Sequence, residues 1–168
     1  VAKHSARIAA IGDVDETNSA IGIALAALSG VAHEPARAML GRIQNELFDL
    51  GADLATPGDD FTPTAMSLRI VPGEIERLER EIDAMNDDLA PLASFILPGG
   101  EPSAAHLHLA RAIARRAERS AVAAGREVSL NPLALAYLNR LSDHLFVLAR
   151  WINRVRGDPL WMPGATRG

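Results

Sequence analysis

Arg111-Ala112-Ile113-Ala114-Arg115-Arg116-Ala117-Glu118-Arg119 carries four arginines and one glutamate in nine residues, in a chain whose formal net charge is -4. At about 100° per residue, a helix through this stretch fans Arg111, Arg115 and Arg119 along one side, with Glu118 beside Arg111. Leu107, Ala110, Ala114, Ala117, Ala121 and Ala124 recur by threes and fours on the other side. The spacing predicts a helix with one face of small residues, which lets a neighbouring helix come close, and an opposite face of guanidinium groups.

Such a face suits a polyanion, because the planar arginine fork matches phosphate oxygens bidentately. It also suits a plain solvated surface laced with intrahelical ion pairs, each worth only about 0.3–0.5 kcal/mol. Ser103 is a plausible N-cap for this helix and Gly125 its stop.

Outward from this helix, the same periodicity predicts four more. Asp13-Val14-Asp15-Glu16 resembles a capping box after a mixed leading segment with Lys3 and Arg7, so a first helix is expected from about Val14 to Leu28. Val14, Ile21, Leu25 and Leu28 should face inward, and Ser29-Gly30 should end it. Glu34-Pro35 opens a second helix with the stripe Met39, Ile43, Leu47, Leu50 and Leu54. Pro72 starts a charged third helix with a narrow seam of Ile75, Leu78, Ile82 and Met85. Asn131-Pro132 opens a fifth that runs to about Arg156, with Leu138, Leu141, Leu145, Leu148 and Ile152 inward and Asn139, Arg140 and Asp143 beside them. The expected fold is an all-α five-helix bundle: a four-helix core with one flanking helix, in a single domain over 1–168.

Between the third and fourth helices lies an apolar loop, Phe95-Ile96-Leu97, closed by Pro98-Gly99-Gly100. A hydrophobic loop at this place is either covered by the bundle or presented to a ligand. The tail carries Trp161 and Pro163-Gly164.

Composition narrows the chemistry. The chain has 168 residues, 48% of them hydrophobic and 23% charged, as in ordinary globular domains. The acidic balance argues against general nucleic-acid binding, so an anion site must be local. The absence of cysteine rules out thiolate metal sites and cysteine nucleophiles and is compatible with a reducing cytoplasm. The longest uncharged apolar-rich run, Ala20–Ala32, is too short to span a bilayer.

No Glu-x-x-His pair is present for a di-iron bundle. His106 and His108 fall on different faces of one helix, and His4, His33 and His144 are expected at the surface or bundle edge rather than as ligands. A protein-ligated metal is therefore not expected. A magnesium ion carried by phosphates needs few protein ligands. No serine stands in a nucleophile elbow, and no Walker lysine loop is present. Phosphate binding is the strongest signal, with cations at Lys3, Arg7, Arg111, Arg115, Arg116, Arg119 and Arg140. Asp15, Glu118 and Asp143 can orient them, and Asn139 offers a donor and an acceptor.

Four blocks together resemble the PduO-type ATP:cob(I)alamin adenosyltransferases. They are Lys3-x-x-x-Arg7 followed by Gly12-Asp-Val-Asp15-Glu16-Thr-Asn18-Ser19-Ala-Ile21-Gly22; Phe95-Ile-Leu-Pro98-Gly99-Gly100; Arg111-x-x-x-Arg115-Arg116-Ala-Glu118-Arg119; and Tyr137-Leu-Asn139-Arg140-Leu-Ser-Asp143-x-Leu-Phe146. They stand in the family's order and cover nearly the whole chain. The family's threonine- and glycine-rich ATP loop would precede the lysine block and is not among the residues given. Thr17 stands where many members have leucine.

The resemblance implies a homotrimer with active sites between subunits, and transfer of the 5'-deoxyadenosyl group of ATP to the cobalt of reduced cobalamin. It implies that Lys3, Arg115, Arg116, Glu118, Arg119 and Asn139 bind ATP. It implies that Asp15 and Arg111 form an ion pair across a subunit boundary. Phe95 would press on the lower face of the corrin, with Arg140 and Asp143 supporting that wall. The implied partners are an electron-donating reductase and an adenosylcobalamin-dependent enzyme. The alternative is a non-catalytic bundle that binds ATP or cobalamin as a sensor or carrier.

Overall fold

The computed structural model describes residues 2–168; Val1 lies outside them. Five helices follow one another: α1 (Ala6–Ala26), α2 (Glu34–Ala55), α3 (Pro72–Asn86), α4 (Pro102–Ala124) and α5 (Pro132–Asn153). A 3-10 turn, Val31–His33, leads into α2. Each of α2 to α5 carries a proline in its first turn, where the missing N–H costs nothing.

The helices enclose one hydrophobic core. α1 packs on α2 and α4, α4 packs on α5, and α3 lies against α5. Ala104, Leu107, Ala110, Ala114, Ala117, Ala121 and Ala124 of α4 are all fully buried. Their small volume lets α4 approach its neighbours closely, since interaxial distance follows the side chains at the contact. From α2 come Leu40, Ile43, Leu47, Leu50 and Leu54; from α5 come Tyr137, Leu138, Leu141, Leu145 and Leu148. Pairing of Glu118 with Asn139, and of His108 with Phe146, runs α4 and α5 in opposite directions.

Three expectations about helix ends are corrected. α1 begins at Ala6, capped by the Ser5 hydroxyl, which accepts from the Ile8 N–H at 3.4 Å. Residues 13–16 are therefore helix interior and not a capping box. Asp13 is used across the bundle instead, accepting from the Ser120 hydroxyl and from Arg116 Nε at 3.4 Å. The apolar period of the first turns is blurred because Ile8 lies exposed on α1. Ser103 is not the cap of α4: Glu101 holds that position and Ser103 is buried within the first turn. α5 ends at Asn153 rather than near Arg156.

Polar groups lock the bundle's far end. Asp53, buried in α2, accepts from Arg69 Nη1 at 2.7 Å, the Ile70 N–H at 2.8 Å and Asn131 Nδ2 at 2.7 Å. Asn131 then caps α5 by accepting from the Leu133 N–H at 3.0 Å. One carboxylate thus ties the α2–α3 connection to the start of α5.

A second network joins α2, α3 and α5. Glu81 accepts from both terminal Arg42 nitrogens, at 2.8 Å from Nη2, and lies 2.8 Å from His144 Nε2. Glu46 takes Arg77 at 2.8 Å and the Tyr137 hydroxyl at 2.6 Å. His144 is thus fully buried, against the expectation of a bundle-edge histidine, because a carboxylate on α3 receives it.

Burial pushes the Glu81 carboxyl up, but the hydrogen bonds from His144 and Arg42 outweigh it and bring the pKa from 4.5 to about 2. A carboxyl depressed in the folded state contributes stability above its unfolded pKa and loses it as pH falls through the folded one. Urea unfolding of the wild type should show a loss of stability between pH 4.5 and about 2 that Glu81→Gln does not share. Parallel pH profiles for the two proteins would contradict the assignment.

Candidate active site

With α4's alanine face spent on packing, its other face is left to the outside. Arg111, Arg115 and Arg119 lie along it over nine residues, about 12 Å of helix axis. Arg111 is half-buried, and burial, reinforced by the neighbouring Arg115 cation, lowers its pKa. Among the described residues it has no carboxylate partner, and its Nε is buried without any hydrogen bond. Arg119 Nη1 donates to the Arg115 carbonyl at 3.2 Å.

The Phe95 loop stands at the start of this track. It is held by the chain's tail, which returns from α5 and pairs with it. The Leu97 N–H donates to the Pro159 carbonyl at 2.8 Å and the Trp161 N–H to the Phe95 carbonyl at 2.9 Å. Ser94 Oγ donates to the Trp161 carbonyl at 2.9 Å. Phe95 and Trp161 meet edge to face, 5.8 Å between ring centres.

Asn153, at the end of α5, clamps the loop's other end. It donates to the Gly99 carbonyl at 2.9 Å and accepts from the Glu101 N–H at 2.9 Å. Gly100 has φ 99°, and a side chain there would collide with Asn153, so glycine is required. The loop's backbone is pinned at both ends, yet Phe95 itself is 77% exposed.

Loop, tail and helices enclose a cleft of about 790 Å³, lined by Leu92, Phe95, Ile96, Phe146 and Trp161 among apolar groups and by Arg111 and His108 among polar ones. Arg111 and Phe146 also border a small polar hollow with Arg115, Ser142 and Asp143. Arg115 in turn borders a hollow of about 240 Å³ with Glu118, Arg119 and Val122. An apolar cleft thus leads through Arg111 into a cationic track along a single helix. Apolar walls with few, convergent polar groups are the usual form of a cofactor-sized site, and fixed cations suit a charged phosphate chain.

His108, at the foot of the cleft, is 2% exposed and packs edge-on against Phe146, with centroids 6.1 Å apart. Neither ring nitrogen has a hydrogen-bond partner. Burial, then the Arg111 cation, lowers its pKa below the ordinary 6.5, with Asp158 acting the other way, so the ring is neutral at pH 7. Leaving such a buried group unpaired costs about 1–3 kcal/mol.

The residues singled out from the sequence divide among several places. Arg111, Arg115, Glu118, Arg119, Asn139, Arg140 and Asp143 share the outer face of α4 and α5. There Asn139 Nδ2 donates to Glu118 at 3.0 Å, so Glu118 holds the asparagine rather than an arginine. Arg140 reaches Asp143 at 3.2 Å and Glu79 at 3.0 Å.

Arg116 turns away from this face toward α1, where Glu16 and Asp13 take it. Asp15 is exposed on α1, in a separate groove of about 510 Å³ against α2, lined by Ile8, Ile11, Leu47 and Phe48. Asp15 and Arg111 do not meet within one chain. Lys3 is exposed in the turn ahead of α1.

Sequence reasoning missed His108, Asn153 and the role of Trp161. For His108 a signal existed, because 108, 111 and 115 follow the three–four spacing of one helix face. Trp161 lies beyond the last helix, where no period marks it.

The family model described as cobalamin adenosyltransferase matches residues 1–152. The chain is similar to the corrinoid adenosyltransferase of Mycobacterium leprae, 50% identical over 171 residues, covering 98% of this chain and 86% of the relative. It is also similar to the corrinoid adenosyltransferase of Bacillus subtilis, 45% identical over 158 residues, covering 92% and 78%. Its fold matches a variant PduO-type ATP:corrinoid adenosyltransferase from Lactobacillus reuteri, solved in complex with cobalamin and ATP. The TM-score is 0.86 at 38% identity, over 96% of this chain and 88% of that one. The similarity runs along nearly the whole chain, and the chain belongs to the PduO-type cobalamin adenosyltransferase family.

Proposed function

We propose that this chain, as one helical domain, transfers the 5'-deoxyadenosyl group of ATP to the cobalt of cob(I)alamin, forming adenosylcobalamin and releasing triphosphate. The observation that carries the reading is the continuity of the Phe95 cleft with the arginine track through Arg111 and Phe146. A corrin and a triphosphate have matching characters, one broad and largely apolar, the other strongly anionic. The relatives are named as transferases, which favours the enzyme over a sensor or carrier bundle.

In the transfer, the cobalt(I) electron pair attacks carbon 5' of the ribose. The carbon–oxygen bond to the triphosphate breaks, and its electron pair leaves with the phosphate. No protein base or nucleophile is needed. The chain's work is to hold ATP in line with the metal and to stabilise charge that grows on the leaving triphosphate. Arg115 and Arg119 are suited to the second task, with Asn139 and Glu118 as a polar pair beside them. Arg116 is held by Asp13 and Glu16 on α1, and its role in ATP binding requires exchange of those partners for phosphate. Lys3 would reach ATP from the turn before α1.

Phe95, exposed on its clasped loop, would press against the corrin's lower face. Excluding the axial base from cobalt(II) makes reduction to cobalt(I) easier, and the cofactor supplies the organometallic chemistry itself. Arg140 and Asp143, paired with each other on α5, would support that wall. We further propose that magnesium arrives on the triphosphate. Among the described residues no group of three His, Asp or Glu could hold a metal ion, so the residues do not fit a protein-ligated site.

The site is completed by a second subunit in the proposed homotrimer. Arg111 has no carboxylate in its own chain, and Asp15 lies exposed in an apolar groove beside Phe48, itself 72% exposed. Asp15 of one subunit against Arg111 of the next satisfies both. The reaction requires a source of cobalt(I), for which a reductase is the proposed partner, and an adenosylcobalamin-dependent enzyme is the proposed recipient of its product. A cytoplasmic setting accords with the cysteine-free composition, and none of the described helices is long and apolar enough to cross a membrane.

Anaerobic assays with chemically reduced cobalamin and magnesium-ATP test the reading through its two halves. Arg115→Ala should lower kcat/KM for ATP by about 10²–10³-fold, as expected for loss of a charged donor to a phosphate in the transition state. Near-normal kinetics would remove Arg115 from the site. Phe95→Ala should leave ATP binding unchanged and weaken formation of base-off cobalt(II). Unchanged cobalt(II) spectra would remove the loop from the mechanism.

A further inference from the structure

Around the Phe95 loop, the Trp151 and Asn153 side-chain nitrogens have partners, while Arg111 Nε has none. Trp151 Nε1 donates to Asp88 at 3.0 Å, and Asn153 Nδ2 to the Gly99 carbonyl at 2.9 Å. His108 differs: it lines the same cleft, is 2% exposed, and has no partner at either ring nitrogen. The Ser94 hydroxyl is already committed to the Trp161 carbonyl. Arg111 and His108 are therefore the polar side chains that converge in an otherwise apolar cleft. In such sites the few polar groups fix the orientation of the ligand.

We propose that His108 hydrogen-bonds a carboxamide on the rim of the corrin and so sets how the macrocycle seats against Phe95. This rests on the transferase reading above and goes beyond the residues that the family resemblance names. A neutral imidazole carries one N–H donor and one acceptor nitrogen, and a primary carboxamide offers a complementary acceptor and donor. The ring's terminal torsion is soft, so a small turn toward the cleft brings a nitrogen to the ligand while the ring keeps its edge contact with Phe146. Arg111, one turn further along α4, points the same cleft toward the cationic track.

The test separates the nitrogens from the ring. His108→Phe keeps an aromatic side chain beside Phe146 and removes both nitrogens; His108→Asn keeps a donor and an acceptor. KM for cob(I)alamin is measured at saturating ATP, and KM for ATP at saturating cob(I)alamin. His108→Phe should raise KM for cobalamin about tenfold and leave KM for ATP within about twofold, with His108→Asn recovering most of the loss. Should the phenylalanine prevent folding, His108→Leu gives the same comparison.

A cobalamin KM within about twofold of wild type in the nitrogen-free variant overturns the proposal, and so does an equal rise in both KM values, which marks a structural role. Binding of cob(II)alamin to the wild type is recorded first. A wild type that neither binds it nor forms product removes the transferase reading, and this proposal with it. A wild type that does both, beside an unaffected His108→Phe, removes the His108 assignment alone.

Discussion

The packing of α4 through small residues is the constraint on which the rest depends. Seven of its positions, from Ala104 to Ala124, are fully buried, and all but Leu107 are alanine. Alanine brings the helix close to its neighbours and loses no side-chain entropy, but it leaves no room for the arginines inside. Arg111, Arg115 and Arg119 are therefore forced onto one outer line. A helix is rigid on this scale, so the spacing between the apolar cleft and the cationic track is set by the same packing that forms the core. Catalytic sites held on regular elements keep their geometry better than sites held on loops.

The cleft needs a second device, because its apolar wall comes from a loop and a tail. Asn153 and Gly100 fix one end of the Phe95 loop, and backbone pairing with residues 159–161 fixes the middle. Phe95 can then remain exposed without collapsing onto the bundle. This division is economical: helices carry charge and spacing, the clasped loop carries hydrophobic surface, and both meet at Arg111. The buried networks around Asp53 and Glu81 lie on other faces of the bundle, where they order α2, α3 and α5 without competing for the arginines of the track.

The helices and the arginine face were legible in the sequence because both rest on a period of three and four, which one chain displays by itself. So was Phe95, as an apolar run out of place between helices. The start of α1 was not, since exposed Ile8 blurs its period and Asp13 mimics a cap while serving Arg116 and Ser120. Nor was burial of His144, which depends on Glu81 sixty-three residues away. Direction around the helix also mattered: Arg116 is next to Arg115 in sequence, yet it faces α1 and not the track. The proposed meeting of Asp15 with Arg111 lies beyond what one chain contains, because the two occupy different faces of the bundle.

That separation gives the most direct test of the account, whose central claim is a site built from two faces of neighbouring subunits. Asp15→Ala and Arg111→Ala are each prepared alone and then as co-expressed mixed oligomers, and adenosylcobalamin formation is measured. Each variant alone should be strongly impaired. In the mixture about a quarter of the interfaces carry both native residues, so activity should return to about that share. Mixed oligomers no more active than the separate variants would contradict a site shared between subunits.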